Sequence, residues 1–156
     1  MKRAALTALV LLASFCAGGR NIGNTSIAGH GAISIQVVPN PVVATKVSGK
    51  TYDFPFEVVV RETGGHPVDI ISVTATVFAL GGIQVATETY DAARISQLGY
   101  STRVPANGEL RYRFNPRREV TDERLFQGVS ADIRVEARDD TGAPATAGTR
   151  VNVTRG

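Results

Sequence analysis

The side chains able to do chemistry in this 156-residue chain are few, and their spacing builds none of the familiar reactive constellations. There are two histidines, His30 and His66, and one cysteine, Cys16. Nucleophilic catalysis needs a Ser or Cys beside a base and an orienting acid. Serines are present, yet no G-x-S-x-G elbow occurs, and both histidines lie in glycine-rich stretches, AGHGA and GGHP. The chain carries no phosphate-binding loop and no H-E-x-x-H. A single cysteine excludes an intrachain disulfide and a cysteine-based zinc site. The expectation is a protein without catalytic residues, resident metal or cofactor.

Two clusters remain to be weighed. Asp139 and Asp140 precede Thr141 and Gly142, and with Asp122 or Glu123 from another loop they could offer oxygens to Ca²⁺. That ion takes six or more oxygens, whereas Asp and Gly make a turn unaided, so the turn is the reading carried forward. The second cluster is arginine: Arg94, Arg103, Arg111, Arg113, Arg117 and Arg118, with Tyr100 and Tyr112 among them. Arg111 and Arg113 share the outward face of one strand. Arg103, Arg111, Arg113, Arg117 and Arg118 are therefore candidate binding residues for an anionic polysaccharide or an acidic partner surface. The competing reading is a solvated face neutralised by Glu109, Glu119 and Glu123. With four Tyr and no Trp, stacking platforms for sugars are scarce.

The elements that must position these groups are strands. In YDFPFEVVVRETGG, residues 52–65, Phe54, Phe56, Val58 and Val60 fall on one face of an extended segment, and Pro55, Glu57, Val59 and Arg61 on the other. Earlier, Ile33, Ile35 and Val37 alternate with polar residues until PNP at 39–41 stops the strand. Later, Ile71, Val73, Ala75 and Val77 share a face, and after Gly81-Gly82 the pattern continues through Ile83, Val85 and Thr87. Asp91 caps a short helical turn ended by Gly99, with Ala92, Ile95 and Leu98 inward. Leu110, Tyr112 and Phe114 alternate with charged residues after the turn PANG. Residues 115–128 are a polar crossover from which Leu125 and Phe126 cover one end of the core. Val129 to Ala137 and Val151 to Val153 supply the last alternating strands. Seven to nine short strands separated by turn signals predict an all-β antiparallel sandwich over residues 33–156, one domain in size.

The opening, MKRAALTALVLLASFC, has a basic start followed by an apolar run from Ala4 to Phe15, the pattern of a secretory signal peptide at residues 1–16. The run is too short to span a bilayer comfortably. Cys16 ends it in LASFCAGG, which resembles a bacterial lipoprotein lipobox. That resemblance implies lipidation at Cys16, with Phe15 standing where the pattern has Ala, Gly or Ser. Ordinary cleavage after Cys16, Ala17 or Gly18 gives a released protein instead. Residues 17–32, rich in Gly, Asn and Ser, read as a flexible tether spanning roughly 20 Å. Without Lys2 and Arg3, 15 of the 17 basic residues remain against 14 acidic ones, a balance of +1. So even a balance carries no argument for nucleic acid or for a membrane surface, and the membrane enters only through a lipid anchor.

The strand count, PANG before ELRYRF, and SADIRVEARDDTG followed by a last strand resemble bacterial immunoglobulin-like domains over about residues 33–154. The chain lacks the cysteine pair, the core Trp and the tyrosine corner of classical members. The resemblance implies a non-catalytic module on an exported protein, used for adhesion, spacing or binding another envelope protein. Binding of an anionic glycan through the arginine face is the alternative, and a hydrolase the third reading. The residues say nothing of oligomeric state.

Overall fold

The computed structural model describes residues 20–156. The signal peptide expected at 1–16, and with it Cys16, lies outside the described residues. In chain order the strands are β1 (Arg20–Asn21), β2 (Ile33–Val38), β3 (Val42–Ser48), β4 (Thr51–Asp53), β5 (Phe56–Glu62), β6 (Val68–Ala79) and β7 (Ile83–Asp91). A short helix α1 (Ala92–Gln97) follows, then β8 (Arg103–Val104), β9 (Glu109–Phe114), β10 (Arg117–Glu119), a 3-10 turn (Glu123–Phe126), β11 (Ser130–Asp139) and β12 (Pro144–Arg155).

The fold is all-β, with two sheets packed face to face. One layer is the antiparallel run β12-β11-β6-β7, and the other is β2-β5-β9. Pro55 and Pro116 cannot donate to a ladder, so β5 and β9 break there together and continue as β4 and β10. The Phe54 amide donates to the Pro116 carbonyl at 3.0 Å and keeps the two kinked arms in step. β3 pairs with β4 and also, in parallel, with β12, Val42 standing opposite Val153. One long side of the sandwich is thereby stitched across the layers. The opposite side, where β7 faces β10, has no strand pairing among the described residues.

The core follows the alternation. Phe56, Val58 and Val60 from β5 face Ala131, Ile133, Val135 and Ala137 from β11, all buried. Each such apolar side chain withdrawn from water contributes about 1.5–3 kcal/mol before entropy costs. Phe114 holds the aromatic centre, 5.4 Å from Phe56 and 4.1 Å from Tyr90 between ring centroids. Val59, on the outer face, is buried as well; its register partners are Gln36 and Arg111, whose long side chains flank it.

Several expectations need correcting. Twelve strands occur among the described residues instead of seven to nine, because short pieces such as β1, β4, β8 and β10 carry little periodicity. One pairing is parallel. Ile71 is 39% exposed, while Ile70 is buried. A bulge opposite Glu136–Ala137 inserts Ile71 as an extra residue and flips the phase, so that Val68, Ile70 and Val73 all point inward. A second irregularity at Val77–Phe78 leaves Ile83 and Val85 exposed on β7. In α1 only Ile95 is buried; the six-residue helix ends before Leu98, which faces solvent.

Of residues 17–32, expected as a tether, the described part, 20–32, lies along the domain. β12 meets β3 only from Val153 onward, so its earlier edge needs partners for its backbone groups. β1 pairs with Thr149–Arg150, and Thr25 exchanges two backbone bonds with Thr146 at 2.8 and 2.9 Å. His30 and Gly31 then reach Asp139.

Candidate functional site: an apolar cleft at the open seam

The unstitched side leads into a cavity of about 350 Å³ between the layers, within the range of small-ligand sites. Phe54 and Phe56 line it from one layer, and Ala75, Val77, Ala131, Ile133, Val151 and Val153 from the other. Leu125 and Phe126 of the 3-10 turn roof one end, Phe126 being held by Tyr52 at 5.1 Å and Phe54 at 6.3 Å between centroids. The crossover was expected to cover one end of the core, and it does so over this space. Among the described residues, no histidine, serine or cysteine lines the cleft.

The mouth is charged. In the β10–β4 register Arg118 stands opposite Tyr52, which is wholly buried, so Arg118 lies on the inward face; Arg117 and Glu119 lie on the outward one. Across the seam, Ala86, Glu88 and Tyr90 form the inward face of β7. Glu88 accepts a bond from Arg118 and another from Arg94 Nη1 at 2.7 Å. The Arg94 guanidinium lies 4.3 Å over the ring of Tyr90. Arg94, Glu88 and Arg118 therefore form a row from the start of α1, across β7, to β10. One carboxylate serves two guanidinium groups.

The other predicted arginines are placed apart. Arg103 on β8 pairs with Asp69 at 2.9 Å, in the large layer. Arg111 and Arg113 share the outer face of β9, as expected, and both donate to Glu57, at 3.0 and 2.9 Å; Arg111 also reaches Glu109 at 2.8 Å. Arg117 grips Asp53 with two bonds, at 2.7 and 2.9 Å. The Arg113 bond, joined by Arg111, holds the Glu57 carboxyl below its ordinary range against partial desolvation. Arg117 does the same for Asp53. The neutralisation expected from Glu109 is observed, and Glu57 and Asp53 do more of it than the acids singled out in the sequence.

Asp139 makes its turn by satisfying both oxygens. Oδ1 accepts from the Thr141 amide and hydroxyl and from the Ala143 amide, at 2.7–3.0 Å, while Oδ2 takes the Gly31 amide at 3.2 Å and His30 Nδ1 at 2.9 Å. The Thr141 hydroxyl, ahead of the opposing burial and the further donors, keeps this carboxyl well below the usual range. Asp122 instead caps the 3-10 turn and binds Arg124. Asp139 is the last residue of β11 and Asp122 lies before its first, and the ten residues of that strand span about 30 Å. They share no site. Tyr52, whose hydroxyl donates to Glu123 at 2.5 Å, accounts for the other acid of that cluster.

Glu62 was not singled out in the sequence. It is 3% exposed, and its carboxylate gathers four amides, from Ala32, Gly64, Gly65 and Asn107. Burial pushes its pKa up, and the four donors more than reverse this, leaving it below the ordinary value. Gly64 is required here: a Cβ would run into the His30 carbonyl oxygen and sit 2.7 Å from the Ala32 nitrogen.

No protein-family model matches the chain, and no curated protein matches it closely. Among solved structures, the X-ray structure of structural-genomics target SoR45 overlays with a TM-score of 0.52 at 8% identity, covering 82% of this chain and 90% of that one. The C-terminal domain of wzt overlays with a TM-score of 0.45 at 12% identity, covering 86% and 78%. A Niemann-Pick type C2 protein from Japanese carpenter ant overlays with a TM-score of 0.42 at 15% identity, covering 88% and 99%. At these identities the first overlay speaks to fold alone: this chain is similar in architecture to other small all-β domains.

Proposed function

We propose that this chain is an exported, non-enzymatic immunoglobulin-like module of a bacterial envelope that binds an apolar ligand in the cleft between its sheets. The observation that carries the reading is the 350 Å³ space opening at the β7–β10 seam, walled by aromatic and branched side chains. Protein interiors are close-packed, so an apolar space of this size beside an unpaired seam is a place for a guest. The predominantly aliphatic and aromatic walls among the described residues support binding of an apolar group. The basic and then apolar opening of the sequence supports export, and a diacylglyceryl mass on Cys16, against a free Ala17 or Gly19, separates an anchored from a released form.

The test is uptake of a fluorescent apolar probe such as N-phenylnaphthylamine. Wild-type protein should enhance its emission with saturation at one site. Ala131→Leu, which fills the cleft from β11, should reduce the affinity about tenfold or more while retaining the far-ultraviolet signature of strands. No saturable uptake by wild type defeats the reading.

A second reading has its own observation. β7 is an edge strand whose outer side has no strand partner among the described residues, and Ile83 and Val85 stand exposed along it, with Leu80 exposed in the turn before it. Such an edge suits strand addition by a protein partner. Ile83→Lys should then abolish capture of that partner from envelope extracts, and unchanged capture refutes this reading. Binding of an acidic glycan has weaker support, because Arg103, Arg111, Arg113 and Arg117 already hold carboxylates.

A further inference from the structure

Resting on the cleft reading above, we infer that the ligand is a single-chain amphiphile with a carboxylate head, its tail between the sheets and its head on Arg118. At about 30 Å³ per water-sized group, a space of 350 Å³ takes on the order of a dozen carbons. The tail would run from the seam toward Phe56 and Ile133, with Phe54 and Phe126 beside it.

The head follows from the charges at the mouth. Two guanidinium groups, Arg94 and Arg118, flank one inward carboxylate, Glu88, leaving one positive charge unmatched on that face. Glu119 borders the rim but belongs to the outward face. A ligand carboxylate would complete the alternation Arg94, Glu88, Arg118, carboxylate. Arg118 can turn to the newcomer without stranding Glu88, which keeps its bond to Arg94. The side chain of Arg118 is half exposed, so its present bond to Glu88 is a weak competitor. The guanidinium fork also matches a planar carboxylate with two parallel bonds. A cationic head would meet Arg118 and Arg94 first. A neutral head would leave the row as it stands and gain nothing from it.

The experiment is calorimetric titration of the full chain with dodecanoate, dodecan-1-ol and dodecylamine, each below its micellar concentration. Dodecanoate should bind wild type about tenfold more tightly than the alcohol, and the amine more weakly than both. Arg118→Gln should bring dodecanoate to within about twofold of the alcohol while leaving the alcohol's affinity unchanged. Equal affinities for acid and alcohol in wild type, a preference for the amine, or a preference for the acid that survives Arg118→Gln overturns the inference and leaves the cleft reading intact. Failure of all three to bind overturns both.

Discussion

Replacing Glu62 by Gln preserves its size and one of its two oxygens, so it isolates what the charge does. In the native fold Oε1 accepts from Ala32 at 3.1 Å and Gly64 at 2.6 Å, and Oε2 from Gly65 at 2.9 Å and Asn107 at 2.8 Å. In Glu62→Gln the amide nitrogen must face one of these pairs of N–H donors, and two bonds are lost with nothing to replace them. At about 1.5 kcal/mol for each bond to a charged group, the loss is about 3 kcal/mol. A domain of this size shifts by about 2–4 °C per kcal/mol, giving a fall of about 6–12 °C in Tm. Thermal melting at neutral pH measures it. The pH dependence supplies a check on cause. Because folding lowers the pKa of Glu62, its contribution is full above the ordinary glutamate value of about 4.3 and is lost as pH falls through the folded value. The gap between wild type and Glu62→Gln should therefore narrow below about pH 4. Equal melting at neutral pH, or a gap that stays constant into acid, would refute the assignment.

The bulge on β6 predicts a contrast between neighbours: Ile70→Ala should cost about 2–5 kcal/mol in urea unfolding, and Ile71→Ala less than about 1 kcal/mol. Similar losses at both would mean that Ile71 is the inward residue. Asp139→Asn should lower the urea midpoint at neutral pH and loosen residues 20–31, read as faster amide exchange at Gly31; since folding depresses this carboxyl, the wild-type advantage should fade in acid. Substituting Ser for Arg111 and Arg113 together should leave retention on a sulfated column nearly unchanged, because Glu57 and Glu109 already hold both side chains. A large drop would restore the anionic-glycan reading.

The sequence made the long strands legible wherever alternation ran unbroken. β5 and β11 show in the structure the inward sets expected of them, since a period of two leaves only two choices of face. It misled where a bulge reset the phase, as at Ile71, because an inserted residue leaves no mark in composition. The phase of two acids is itself a signal. Glu62 follows Val58 and Val60 in phase, and Asp139 follows Val135 and Ala137, so each is a carboxylate placed inward at a strand's end. An inward acid needs donors, and both found backbone amides of neighbouring turns. Glu88 was less visible, because its partners Arg94 and Arg118 come from a helix and a strand whose approach only the closed fold creates. The cleft itself left no trace, since its walls are the same apolar residues that would line a filled core.

β12 is the last in chain order of the twelve strands among the described residues, yet it supplies partners to β1, β3 and β11 and joins the two layers. Until Pro144–Arg155 has been synthesised, β11 lacks one neighbour, β3 cannot bridge the layers, and residues 20–25 have no edge to lie on. Closure thus waits on β12, with contacts that pair the earliest described residues with the latest. Such a chain exposes open strand edges while it waits. It also stays threadable until β12 arrives, which would suit the export proposed above.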